Sequence, residues 1–121
     1  MKGNLIVNKS FEFALKIIDF SEEIFEMKRF ALANQIFKAG TSIGANVREA
    51  QSPESLKDFI HKMKIAHKES EEIEYWLLLC KNSTHFPFEQ ELLDNAIELQ
   101  RIIGSIISTS KKKLQIKTNK S

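Results

Sequence analysis

The 121-residue sequence predicts an all-α protein, an up-down-up-down antiparallel four-helix bundle. Three observations predict it. Apolar residues recur at steps of three and four almost throughout, the period of a buried helix face. Four such stretches are joined by short connections, which makes consecutive helices antiparallel neighbours. The four glycines and two prolines are too few to punctuate a many-stranded β fold.

The first helix is expected over about Asn8 to Glu26. It carries two apolar stripes: Phe11, Leu15, Ile18 and Phe25, and Phe13, Ile17, Phe20 and Ile24. One stripe can face the helix's own bundle; the other demands a further helix or another subunit. Trp76, Leu78 and Leu79 add surplus apolar surface on the third helix. A homo-oligomer is therefore expected. If Phe20 lies at the subunit contact, Phe20→Glu dissociates the assembly; if it lies in the core, the same change unfolds the chain.

The second helix is expected from about Arg29 to Gln51. Ala33, Ile36, Gly40, Ile43, Val47 and Ala50 form a seam of small knobs. Gly40 and Gly44 each cost about 1 kcal/mol in a helix interior relative to alanine. Their presence reads as a tight helix crossing, with a break at Ala39-Gly40 as the alternative. Ser52-Pro53 reads as a helix start, which places Pro53 in the first turn of the third helix, about Pro53 to Lys81. Its seam is Leu56, Phe59, Met63, Ala66, Ser70, Ile73, Leu77 and Cys80. Asn82 to Pro87 reads as a turn. The fourth helix is expected from about Phe88 to Ser110, on a seam of Leu92, Ala96, Leu99, Ile103 and Ile106, widened by Leu93, Ile97, Ile102 and Ile107. Residues 1–110 thus form one bundle domain, and 111–121 a basic tail expected to be disordered.

The net charge of +2 conceals an asymmetry. Five of the 18 basic residues, Lys111, Lys112, Lys113, Lys117 and Lys120, lie in the acid-free segment Ser110–Ser121, leaving 13 against 16 acids in the body. Such a tail suits an anionic partner. The longest apolar run is far too short to cross a membrane, so no membrane role is expected. The lone Cys80 excludes an internal disulfide and fits a reducing, cytoplasmic compartment.

No catalytic constellation is evident, and no enzyme activity is expected. His61 and His67 are six residues apart on different helix faces, no Glu-x-x-His pair occurs, and Cys80 has no companion at ligand spacing. No metal or cofactor is therefore expected. Two polar sets bear on partners. Gln35, Ser42, Asn46 and Glu49 flank the second seam, and Glu69, Glu72 and Trp76 flank the third; such residues read as an interhelical or intersubunit network, with a ligand cleft as the alternative. Lys57, His61, Lys64 and Lys68 recur at steps of four, three and four, with Lys62 nearby. A basic stripe of this kind suits phosphate contact, while a solvated face balanced by Glu54 and Asp58 is the alternative. Together with Lys111, Lys112 and Lys113 these side chains are the candidate nucleic-acid contacts, weakly sequence-specific toward RNA or DNA.

Gly40-Thr41-Ser42-Ile43-Gly44-Ala45-Asn46-Val47-Arg48-Glu49-Ala50 resembles the S-I-x-x-N-[IV]-x-E-[GA] helix of the bacterial four-helix bundle proteins named for reading frames in 23S rRNA intervening sequences. Asp58 to Ser70, then Glu72 and Tyr75-Trp76-Leu77, resemble the next helix of that family. The resemblance spans about Phe11 to Ile107 and implies a bundle that assembles into a barrel-like homopentamer. It also implies a nucleic-acid or protein partner, since a related accessory protein of diversity-generating retroelements binds nucleic acid and a reverse transcriptase. The family name records gene location and does not assign an activity on ribosomal RNA.

Overall fold

The computed structural model describes residues 4–120, with the side chain of Lys120 and residues 1–3 and 121 outside the description. Among the described residues the secondary structure is four α-helices: α1 (Leu5–Glu26), α2 (Phe30–Ala50), α3 (Leu56–Asn82) and α4 (Gln90–Lys120). Each helix packs on the next, and α1 closes the bundle against α4.

Local chemistry sets each boundary. The Asn4 side chain accepts from the Val7 backbone N–H at 3.3 Å, so α1 begins one turn before the periodicity suggests. Its C-terminus closes on a left-handed residue, Lys28, at φ 63°. The Lys28 N–H donates to Phe25 O at 2.9 Å, and the Arg29 N–H reaches back to Ile24 O at 3.4 Å. This is the double bond of a Schellman turn, here built without glycine.

The third helix starts later than Ser52-Pro53 implies. Pro53 lies in the connection, outside α3. Ser55 caps instead: its Oγ accepts from the Asp58 N–H at 3.0 Å, while the Asp58 carboxylate accepts from the Glu54 N–H at 3.1 Å. The Ser55 hydroxyl satisfies one orphan N–H of the first turn, and the Asp58 carboxylate pins the backbone just before the cap.

The segment expected as a disordered tail continues α4, to Lys120 among the described residues. No glycine or proline follows Gly104, and lysine, leucine and glutamine are good helix formers. Leu114 packs against the core cluster and ties this extension down. The α4 seam also steps sideways: Ile107 is buried and Ile106 only partly so.

The core is one cluster fed by all four helices. On α1 the inward stripe is Phe13, Ile17, Phe20 and Ile24, each at most 2% exposed. Phe20 therefore belongs to the chain's own core, which leaves Phe11, Leu15, Ile18 and Phe25 outside, each 41–51% exposed. The α2 seam is buried from Ala33 to Ala50 without a break at Gly40. Buried Ser10, Ser21 and Ser70 donate to carbonyls three residues earlier on their own helices. No buried side-chain donor or acceptor among the described residues lacks a partner.

The small residues of α2 are a close approach. A Cβ on Gly40 would stand 2.6 to 3.0 Å from three side-chain atoms of Ile17, and one on Gly44 would stand 3.2 Å from the Ser10 carbonyl oxygen. Gly40→Ala is expected to destabilise the protein by about 1–3 kcal/mol. Overpacking against a stiff, buried isoleucine outweighs the gain in helix propensity. At Gly104 a Cβ would meet only His67, at 3.7 Å, so Gly104→Ala is expected to be neutral or stabilising. Parallel urea unfolding of the two variants checks both signs.

Candidate nucleic-acid interface

The solvent flank where α3 meets α4 gathers positive charge. Lys57, His61, Lys64 and Lys68 are all exposed on α3. Lys64 and Lys68 sit one turn apart and form one wall of a cleft; Lys111 of α4 forms the other. The same cleft is lined by His67, Gly104 and Ile107, and its volume is about 330 Å³. Gly104 keeps the floor open because it places no side chain against His67. The Glu71 carboxylate lies 3.3 Å from His67 Nδ1. That contact leaves Nε2 as the ring atom nearest Gly104.

The structure sorts the candidate lysines. Lys64, Lys68 and Lys111 share the cleft, while Lys57 and His61 extend the stripe beyond its lining. Because 111–113 is helical, successive side chains diverge by about 100°. Lys113 consequently lines a different groove, with Leu56, Phe59 and Ile106, and Lys112 is exposed outside both. His67, weighed from the sequence only as a metal ligand, joins the basic stripe in the fold. The signal was the spacing of Lys64, His67 and Lys68, at i, i+3 and i+4 on one helix face.

The opposite seam treats its lysines differently. Between α1 and α4, Lys9 pairs with Glu98 at 3.1 Å and Lys16 with Glu91 at 2.7 Å. The bond to Glu91 raises the Lys16 ammonium above its ordinary value. Among the described residues neither Lys64 nor Lys111 is held in an ion pair. Their charge is open to an external anion.

The polar set beside the α2 and α3 seams is local. Ser42 donates to Lys38 O at 2.5 Å, Asn46 to Ser42 O at 2.9 Å, and Trp76 Nε1 to Glu72 Oε2 at 3.3 Å, all within single helices. Glu49 is exposed on α2. The link between the two helices is electrostatic. Burial pushes the Glu69 carboxyl above its ordinary value and Glu72 adds to the rise, while Lys38 of α2 and Lys68 oppose it. Cys80 is buried, and burial pushes its thiol up, so it is a poor nucleophile. Among the described residues no three His, Cys, Asp or Glu side chains form a group that could hold a metal ion. Nor is any helix long and apolar enough to cross a membrane.

The fold and this surface define a class: a single-chain antiparallel four-helix bundle with a basic α3–α4 flank and an apolar outer face. The particular family follows from comparison. The model of the 23S rRNA-intervening sequence protein family matches residues 2–105, and the chain belongs to that family. A crystal structure of a protein of unknown function from the S23 ribosomal protein family of Bacteroides thetaiotaomicron is 39% identical. It superposes with a TM-score of 0.80, over 85% of this chain and 98% of that one. A search of curated proteins finds no match.

Glu69 generates a prediction. Burial disfavours its charged form in the fold relative to the unfolded chain, so ionisation costs stability. That cost is complete above the raised value and shrinks as pH falls through it. It vanishes below the ordinary value of 4.5, where the unfolded chain is protonated as well. Glu69→Gln is expected to raise Tm by about 1–3 °C at pH 7 and by nothing near pH 3.5, as read by thermal melts across pH.

Proposed function

We propose that the protein is a non-enzymatic, self-assembling module that binds nucleic acid through the sugar-phosphate backbone. The observation that carries this reading is the cleft where Lys64, Lys68 and Lys111 meet with no acid among the lining residues. Lys57 and His61 continue the positive stripe along α3. Phosphate contacts of this kind position a strand and carry little sequence information, so RNA and DNA are both acceptable partners.

Self-assembly follows from the outer apolar surface. Phe11, Leu15, Ile18 and Phe25 are exposed on α1, and Tyr75, Leu78 and Leu79 on α3. Phe25 packs against Phe30 with the rings tilted by 57° and their centroids 4.8 Å apart, which enlarges the α1 patch. Helices α1 and α3 are diagonal in the bundle, sharing neighbours but not packing on each other. Two different patches on diagonal helices suit a head-to-tail contact, which closes into a ring where the rotation permits. The family resemblance supplies the number, a homopentamer. The same apolar surface favours a second reading, an adaptor that docks another protein and has no nucleic-acid role.

Light scattering is expected to give five copies of the 13.9-kDa chain, about 70 kDa. Leu15→Glu is expected to dissociate the assembly with helicity retained, whereas Phe20→Glu unfolds the chain, because Phe20 is 1% exposed. A monomer at micromolar concentration would contradict the assembly.

A mobility shift with a mixed RNA and DNA pool at about 50 mM salt tests binding. The log–log salt slope is about −0.7 to −0.9 per phosphate contact. The triple variant Lys57→Gln, Lys64→Gln, Lys68→Gln is expected to flatten it by about 2 to 3, with unchanged circular dichroism. No shift with any nucleic acid would hand the first place to the adaptor reading.

A further inference from the structure

We infer that the α3–α4 cleft is a seat for one nucleotide carrying a terminal phosphate, the end of a strand rather than its interior. The inference rests on the backbone-binding reading and adds a ligand class to it. Three features of the cleft support it. First, three lysines from two helices surround one small volume. An internal phosphodiester brings a single negative charge, whereas a terminal phosphate brings about −1.5 to −2 near neutral pH and three acceptor oxygens. The three positive charges of Lys64, Lys68 and Lys111 around one cleft answer the larger charge of the second. Lys57 and His61, strung along α3 beyond the cleft, can then follow the internal phosphates that lead away from the end.

Second, the cleft has a floor as well as a charged rim. Gly104 and Ile107 offer apolar surface, and His67 presents its ring beside them, steadied by Glu71 at 3.3 Å. A planar base can lie against such a floor, and His is among the side chains on which unpaired bases stack. The volume of about 330 Å³ lies at the low end for ligand sites and suits one nucleotide, not a duplex. Third, charge pairing leaves the site available. Lys9 and Lys16 on the α1–α4 seam have glutamate partners, whereas Lys64 and Lys111, among the described residues, have none.

The test compares one 10-nucleotide single strand in three forms: hydroxyl-ended, 5′-phosphorylated and 3′-phosphorylated. Binding to the full-length protein is measured by fluorescence anisotropy at about 50 mM salt. One phosphorylated form is expected to bind about tenfold tighter than the hydroxyl-ended strand. Gly104→Leu fills the floor and keeps every lysine, so it is expected to erase that preference. Lys111→Gln is expected to reduce the preference with the fold intact by circular dichroism, and serves if the leucine variant misfolds. A nucleoside monophosphate is expected to compete for the preference at lower concentration than inorganic phosphate.

Equal affinity for all three strands overturns the seat and leaves backbone binding standing. Absence of binding to every strand overturns both. A preference that survives Gly104→Leu in a folded variant, or inorganic phosphate competing as well as the nucleotide, overturns the place assigned to the base. A monophosphate that binds the cleft while the phosphorylated strands gain nothing overturns the assignment to a strand end in favour of a free nucleotide.

Discussion

The bundle depends on how closely α1 and α2 approach each other at Ile17 and Gly40. A single added carbon on Gly40 would fall within 3.0 Å of the Ile17 side chain. Ile17 is fully buried and β-branched, so it has little freedom to yield. Holding α1 this near decides which of its two apolar stripes turns inward. Phe13, Ile17, Phe20 and Ile24 enter the core, and Phe11, Leu15, Ile18 and Phe25 point away from it. The outer face of the molecule is thus a consequence of packing at its centre.

The two seams of α4 divide its charge. Toward α1, glutamates on α4 answer lysines on α1, and the helices are joined by ion pairs of 3.1 and 2.7 Å. Exposed pairs of this kind contribute little stability, about 0–1 kcal/mol each, but they neutralise that side. Toward α3, lysine faces lysine across a cleft that Gly104 keeps open. Like charges on neighbouring helices weaken a fold unless something else offsets them. An anion in the cleft would remove that repulsion, so binding and stability are coupled there. The extension of α4 is part of the same arrangement. Were the chain disordered after Ser110, Lys111 would have no fixed position on the cleft wall.

The helical period was legible because burial on one face imposes a spacing of three and four on the residues themselves. Helix count, the α2 seam from Ala33 to Ala50 and most of the α3 seam follow from that rule alone. Boundaries were less legible, since they depend on competition among caps. Ser52-Pro53 and Ser55-x-x-Asp58 are both start signals, and the second prevails through two hydrogen bonds that only the folded backbone can align. The lysine-rich end was ambiguous for another reason: lysine is frequent in disordered segments and is also a good helix former. Leu114, by docking on the core, decides between the two.

Sequence by itself determined the fold class, the four apolar seams, the basic stripe on α3 and the family. These are properties of residues near one another along the chain, where periodicity and spacing are read directly. Only the tertiary structure decided which α1 stripe is core, which lysines share a cleft and that His67 stands among them. Those outcomes rest on the rotation of each helix about its axis and on the register of α3 against α4. Both are set by steric fit between residues far apart in sequence, such as Ile17 with Gly40 and His67 with Gly104.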